Sequence, residues 1–375
     1  MNREKGTNLL GLELDELTTI VEAQGEPRYR ARQLFEGLYN QRYNSFGEFS
    51  TLPHSLHDNL TKAGFHVHQP VAEKKFVSVD GTVRYLLALV DGQTVETVWM
   101  PEGDGGESGE DTEPSSQVTS GKIRLARGTI CLSSQVGCAV DCEFCLTALL
   151  GLKRNLSAGE MIGQVCAVLK DQGVSPPLDR VNLVFMGMGE PFLNYDNFVK
   201  AVRLLGAGVG IPPTRMTVST AGVVPRISDL GREPIRPRLA ISLNASNDQL
   251  RTRLMPINKK WNLDQLMAAA REYPLRPKER LTFEYVLLDE VNDSAENARQ
   301  VVELVRGIRA KVNLIALNPG PGIDFKTPRP ERVTAFQKIL IDAQIPTFVR
   351  RPRGRDIYAA CGQLKRTVEL LQPSL

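Results

Sequence analysis

Four of the six cysteines in this 375-residue chain fall in one stretch, CLSSQVGCAVDCEFC, from Cys131 to Cys145. Cys138, Cys142 and Cys145 are spaced C-x3-C-x2-C, and Cys131 stands seven residues before the first of them. No apolar run approaches the roughly 18 residues that span a bilayer. The opening residues lack a signal-peptide pattern, so a cytoplasmic protein is expected. There, clustered thiols serve as metal ligands or reactive groups more often than as structural disulfides. Three thiolates on one loop can converge on one metal centre. Structural zinc takes four ligands, and no good fourth is at hand. His54, His57, His66 and His68 all lie far upstream, and Cys131 sits back on the predicted strand that leads into the loop. A [4Fe–4S] cluster held by three cysteines keeps one iron open for a reactant. Zinc-binding or merely buried thiols are the alternative.

Such a loop needs a rigid strand behind it. From residue 122 onward the texture alternates. The candidate strands are GTICLSS, VNLVFMG, MTVSTAG, LAISLNA, LTFEYVLL and VNLIALNP. Helical patterns such as SAGEMIGQVCAVLKDQG, DQLMAAAREY and SAENARQVVELVRGI separate them, and a last strand, PTFVRR, follows. Ser157-x-x-Glu160 is a capping box that starts the first helix. Successive strand–helix units predict an α/β fold with a parallel sheet and helices outside it, either open or a barrel. In both, chemistry gathers at the C-terminal ends of the strands, where the cysteine loop falls. Cys166 lies on the apolar face of its helix and reads as core.

Ahead of this body, residues 8–65 carry short helical patterns, among them DELTTIVEA and PRYRARQLFEGLYNQ, with Pro27 at a first turn. KKFVSVDGTVRYLLALVDGQTVETVWM then reads as an antiparallel meander turned at Asp80-Gly81 and Asp91-Gly92. Residues 101–121, rich in Gly, Ser and acid, cannot bury enough apolar surface to order and read as a mobile loop. Three parts are expected: a helical, RNA-binding accessory domain at 1–68, a β-hairpin extension with its acidic loop at 69–121, and the body at 122–375. The formal net charge of +3 hides an asymmetry. Residues 1–120 hold 10 Lys and Arg against 19 Asp and Glu, a net of −9, whereas residues 121–375 hold 36 against 24, a net of +12. A basic body suits a polyanion such as RNA. RRPRGR at 350–355, Lys259-Lys260, Lys153-Arg154 and Arg28, Arg30 and Arg32 are the candidate contacts.

C-x3-C-x2-C, with Phe144 between its last two cysteines, resembles the cluster motif of the radical S-adenosylmethionine (SAM) superfamily. GTICLSSQVGCAVDCEFC, GLKRNLSAGEMIGQV, MGMGEP, TVSTAGVVP, LMPINKKWNL, VNLIALNPGPG and RDIYAACGQL follow one another here. That order is similar to the RlmN/Cfr-type radical-SAM RNA methyltransferases. MGMGEP with Pro191, INKK and NPGPG look like the branch that methylates C2 of adenine, RlmN, rather than C8. The resemblance implies a partial (β/α)6 TIM-like barrel, one [4Fe–4S] cluster on Cys138, Cys142 and Cys145, and two SAM molecules per turnover. It implies SAM contacts at Gly189, Glu190, Ser219, Ser242, Leu243, Asn244 and Asn318. Asn244 stands where the family usually has His.

The chemistry that the resemblance implies answers to a difficulty: adenine C2 is not nucleophilic. A thiolate is the natural first methyl acceptor, and Cys361 in YAACGQL matches the family's methyl-accepting cysteine. A 5′-deoxyadenosyl radical takes a hydrogen from the S-methyl group, the carbon radical adds to C2, and the enzyme becomes joined to RNA. Cys131 matches the cysteine that frees it by forming a disulfide with Cys361. Glu96 matches the acceptor of the C2 proton. The implied substrates are 23S rRNA, at an adenine of the peptidyl-transferase centre, and tRNA, at an adenine of the anticodon loop. The implied partner is a reductant such as flavodoxin or ferredoxin, with the chain acting as a monomer. A C8-methylating enzyme and a non-catalytic, metal-stabilised RNA-binding protein are the competing expectations.

Overall fold

The computed structural model describes residues 6–101, 127–360 and 362–364. The acidic stretch from 102 to 121 and Cys361 lie outside the described residues. No helix among the described residues is long and apolar enough to cross a membrane.

At the front are α1 (Leu14–Ala23), α2 (Tyr29–Phe35) and α3 (His54–Lys62). A two-residue parallel ladder, β1 (Thr7–Asn8) with β2 (Phe65–His66), brings the two ends of this unit together. Leu17 and Val21, Ala31 and Leu34, and Leu56 and Leu60 are buried at helical spacing, so each short helix is fixed by its apolar face. The unit docks closely on the body. A Cβ on Gly159, in the first turn of α4 (Ala158–Gln172), would lie 2.0 Å from the Leu10 carbonyl oxygen. The unit's acidity is used at the same interface. Glu13 pairs with Arg203 at 2.7 Å and Glu16 with Lys200 at 2.6 Å, both on α5 (Tyr195–Ala207).

β3 (Val71–Val77), β4 (Val83–Ala88) and β5 (Thr94–Pro101) form the antiparallel meander that the sequence predicts. Gly81 and Gly92, at φ 81° and 79°, supply its left-handed turn residues. β5 also pairs antiparallel with β6 (Arg127–Cys131), so the meander continues the sheet of the body. A short hairpin, β7 (Gln135–Val136) with β8 (Arg154–Asn155), then brackets the cysteine loop.

β9 (Arg180–Phe185), β10 (Met216–Thr220), β11 (Arg238–Ser242), β12 (Leu281–Leu287), β13 (Ala310–Ala316) and β14 (Thr347–Arg350) line up parallel and in chain order beside β6. Between them run α4, α5, α6 (Val224–Arg232), α7 (Asp248–Leu254), α8 (Leu263–Glu272), α9 (Ala295–Val305) and α10 (Pro330–Asp342). The ten-stranded sheet runs from β14 to β3 without closing on itself, so the α/β body is a partial barrel. The capping box at α4 is in place: Ser157 Oγ accepts from the Glu160 amide at 3.1 Å, and Glu160 Oε2 from the Ser157 amide at 2.9 Å.

Strand register decides which side chains meet. Trp99, Ile130, Leu183, Val218 and Phe283 project to one side of the sheet and are buried in the main core. Each contributes about 1.5–3 kcal/mol of burial. Phe283→Ala is expected to cost about 3–5 kcal/mol, because the cavity can collapse only in part. Val79→Ala, at a position 97% exposed, should stay within about 0.5 kcal/mol. Denaturant titrations under argon check both. The other side of the sheet carries Arg84, Val98 and Cys131, opposite one another on β4, β5 and β6, with Glu96 two residues from Val98.

Candidate active site

The cysteine loop is turned by a glycine. Gly137 sits at φ 80°, and a Cβ on it would lie 1.8 Å from the Gly151 carbonyl oxygen. No other residue fits that approach. Gly137→Ala is therefore expected to lower the melting temperature and the iron content of anaerobically purified protein together. Inside the loop the Cys145 amide donates to the Cys142 carbonyl at 3.1 Å, and the Glu143 amide to the Leu254 carbonyl at 3.0 Å. Val140, Leu254, Met255 and Leu317 make an apolar wall against Cys138, Cys142 and Phe144.

That wall sets the chemistry of the thiols. Burial pushes the Cys138 thiol up to about 12, against hydrogen bonds from the Val140 and Ala139 amides that favour its thiolate. Burial pushes Cys142 up too, and its neighbours Cys145 and Cys138 raise it further. Thiols in such surroundings ionise when a metal centre supplies positive charge. A loop of three, with amides aimed at one sulfur, fits the donor set of an iron–sulfur cluster. No trio of His, Cys, Asp or Glu among the described residues is close enough to clasp a single ion. A cleft of about 680 Å³ opens against Cys142, with Glu143, Arg253, Pro256 and Phe325 on its walls.

A second glycine turn follows β9. Gly189, at φ 101°, comes so close to Gln135 that a Cβ would lie 2.5 Å from the Gln135 Cβ. Next to it Glu190 is 3% exposed. Its Oε1 accepts from the Phe192 amide at 3.0 Å and its Oε2 from the Ala221 amide at 2.6 Å. Burial raises its carboxyl to about 7, against the pull of these hydrogen bonds. Glu190 thus braces the turn after β9 against the turn after β10, with the Thr220 hydroxyl as a third partner.

The ends of β10, β11 and β13 carry the remaining residues that the resemblance names as SAM contacts. Ser219 and Ser242 stand side by side, their Oγ atoms 3.1 Å apart. Asn318 lies just past β13, its carbonyl accepting from Gln363 Nε2 at 3.1 Å. Leu243, however, is fully buried in the main core. Asn244 spends its amide on structure. Its Oδ1 accepts from the Val286 amide at 2.9 Å, and its Nδ2 meets the Met255 sulfur at 3.3 Å. Its φ of 53° is one that Asn tolerates.

Arg251 gave no signal in the sequence, being one arginine on a short polar helix. It is fully buried. It donates to the carbonyls of Ala221 at 2.7 Å, Ser242 at 3.1 Å and Leu243 at 3.1 Å, and to Asn258 Oδ1 at 3.0 Å. One guanidinium therefore ties the ends of β10 and β11 together.

Glu96 and Cys131 occupy the same side of the sheet, both buried. Arg84 Nη1 lies 3.1 Å from Glu96 Oε1. Ser133 Oγ donates to the Glu96 carbonyl at 2.6 Å and accepts from the Met188 amide at 2.9 Å. Gln164 of α4 holds this crossing from below: its Oε1 accepts from Thr97 Oγ1 at 2.8 Å and from the Ser133 amide at 2.9 Å. Cys131 ends β6 at 8% exposure.

The chain on either side of position 361 is fastened twice. The Gly362 carbonyl accepts from the Leu146 amide of the cysteine loop at 2.7 Å. Upstream, the first meander turn grips the segment: Asp80 Oδ2 accepts from the Gly354 amide at 3.0 Å, and Asp356 Oδ1 from Ser78 Oγ at 2.5 Å.

Residues 132–302 match the family model of the radical SAM superfamily, and residues 7–64 that of the ribosomal RNA large subunit methyltransferase N-terminal domain. Over 347 residues the chain is 65% identical to a probable dual-specificity RNA methyltransferase RlmN of Koribacter versatilis, covering 92% of this chain and 98% of that one. The chain belongs to the RlmN family. Its activity class is that of a radical-SAM RNA methyltransferase. A dual-specificity RNA methyltransferase RlmN of Syntrophobacter fumaroxidans is 46% identical, over 94% of this chain and 96% of its own. The crystal structure of a radical SAM methyltransferase from Sphaerobacter thermophilus superposes with a TM-score of 0.83 at 42% identity, covering 95% of this chain and 98% of that one.

The structure sorts the basic residues that the sequence offers as candidate RNA contacts. Arg154 forks onto Glu160 at 2.7 and 2.8 Å and meets Asp91 at 2.7 Å. Arg30 is bonded to Gln33 and to the Thr51 carbonyl. These two brace the fold. Lys153, Lys259, Lys260, Arg351 and Arg355 are exposed.

Proposed function

We propose that this enzyme methylates C2 of an adenine in the peptidyl-transferase centre of 23S rRNA and of an adenine in the tRNA anticodon loop. One observation carries the reading: Glu96 and Cys131 share a sheet face, while the chain flanking Cys361 is bonded to the cysteine loop. A base, a second thiol and a methyl carrier are the parts that a covalent RNA intermediate needs. Cys138, Cys142 and Cys145 hold a [4Fe–4S] cluster. The turn at Gly189 and Glu190, with Ser219, Ser242 and Asn318, receives SAM. When bound, these groups supply a methyl group and a 5′-deoxyadenosyl radical, two SAM molecules being used per turnover.

The remaining steps fall to the chain. Cys361 takes the methyl group as a thioether; that carbon would give one hydrogen atom to the 5′-deoxyadenosyl radical and bond to adenine C2, whose own hydrogen leaves as a proton and an electron, the electron returning to the one-electron redox chain that serves the cluster. Glu96 accepts the C2 proton. Cys131, as thiolate, attacks the Cys361 sulfur. The sulfur–carbon bond breaks, and its electron pair, with one proton, leaves a methyl group on the base. The two cysteines end as a disulfide, which a cellular thiol reductant returns to thiols. A one-electron carrier such as flavodoxin or ferredoxin serves the cluster, and the enzyme works in the cytoplasm as a monomer.

Nucleoside mass spectrometry of rRNA and tRNA from a deletion strain tests this reading. Loss of 2-methyladenosine from both supports it. Loss of 8-methyladenosine overturns the C2 assignment, and an unchanged nucleoside profile overturns the activity.

A further inference from the structure

We propose that Arg84 is a positioning residue for the proton-transfer step, keeping Glu96 ionised and aimed in a place where a lone carboxylate takes up a proton. The proposal rests on the reading of Glu96 as the C2 proton acceptor. Its observations are geometric. Glu96 is 0% exposed and the Arg84 side chain 1% exposed, with Nη1 and Oε1 at 3.1 Å. Register fixes the pair: Arg84 sits opposite Val98 and Leu86 opposite Glu96, so the two charges meet on the diagonal between β4 and β5. From its other side the guanidinium is backed by the Phe76 ring, 4.4 Å from its centroid. The arginine is thereby held by packing as well as by charge.

Physical chemistry gives this contact a role. A buried carboxylate is disfavoured as an anion and becomes neutral unless an opposite charge stands beside it. A neutral Glu96 has no capacity to receive the C2 proton. Arginine stays protonated at any working pH, so its effect on Glu96 is constant. Among the described residues, the titratable groups that the adjoining strands put on this face are Arg84 from β4 and, from β6, Cys131 and Arg127, the latter four residues back along the strand. β9 brings Arg180, opposite Arg127, with Asn182 and Val184, and α4, on the opposite face, brings the neutral Gln164.

The test compares the full-length, cluster-loaded enzyme with Arg84→Met, Arg84→Gln, Arg84→Lys and Glu96→Gln at equal iron content. Release of 2-methylated RNA and the fraction of protein joined to RNA are read from pH 5.5 to 9. Glu96→Gln should remain joined to RNA at every pH. Turnover by that variant overturns the base reading itself. Arg84→Met should accumulate the conjugate at neutral pH and recover release as pH rises. Its midpoint should move up by about one to three pH units, the size of shift a close opposite charge exerts on a carboxylate. Arg84→Lys, which keeps the charge, should stay within about tenfold of the parent at pH 7.5. If Arg84→Met does not fold, Arg84→Gln, a smaller polar change, should give the same upward shift. An unshifted midpoint in the charge-free variants, or a lysine variant as impaired as the methionine one, overturns the role of Arg84.

Discussion

Cys131→Ala enzyme, supplied with SAM, reductant and RNA, should run on a denaturing gel as a protein–RNA conjugate. The expectation comes from position as well as chemistry. Cys131 stands at the end of β6, buried at 8% exposure, on the same side of the sheet as Glu96. A thiol is needed there only for the final displacement, since methyl transfer to Cys361 and bond formation to the base use other groups. Removing it lets the early steps proceed and blocks release. Turnover should fall on the order of 10³-fold or more, as it does when a residue with a covalent role is lost. Nuclease digestion should leave an adenosine-sized remnant on the peptide that contains Cys361. Repeated turnover by the alanine variant, with free methylated RNA and no conjugate, would rule out the release role.

Cys142→Ala has the opposite signature. This thiol lies on the loop that also carries Cys138 and Cys145, and it belongs to the wall formed by Val140, Leu254 and Met255. Losing one of three attachments should leave protein with almost no bound iron or acid-labile sulfide. Cleavage of SAM on reduction should drop to background, and no conjugate should form at all. The fold should survive, because the strands behind the loop are anchored by their own core. A parent protein that binds one zinc and no sulfide would favour the non-catalytic reading. Iron, zinc and sulfide assays on anaerobically prepared samples decide between them.

These two experiments concern residues that could be singled out from the chain alone, and there is a physical reason. C-x3-C-x2-C is a local pattern, legible because its three members share a few residues of backbone. The capping box at Ser157, the Asp-Gly turns of the meander and the succession of strands are local in the same way. Partners brought together by register were not legible. Arg84 and Glu96 meet because β4 pairs with β5 in one register out of several; the resemblance singles out Glu96, but nothing in the sequence marks Arg84 as its partner. Arg251 sits on a seven-residue helix with few apolar positions, so nothing marks it as buried. The β1–β2 ladder joins residues nearly sixty positions apart through two residues each, too short for any periodicity. Leu243 and Asn244 were legible as a motif but not in orientation. Where a strand ends in a left-handed residue, the turn decides which side chain faces the cavity and which the core.

The hydroxyl of Ser133 touches both the backbone of Glu96 and the amide of Met188. The segment that carries the proton acceptor and the segment that leads to the Gly189 turn are therefore seated against a single oxygen atom. Natural selection has little freedom to adjust one without disturbing the other. Both contacts are to main-chain atoms, so the constraint falls on position 133 whatever side chains stand at 96 and 188, and a chain that loses its hydroxyl at 133 should have lost both grips at once.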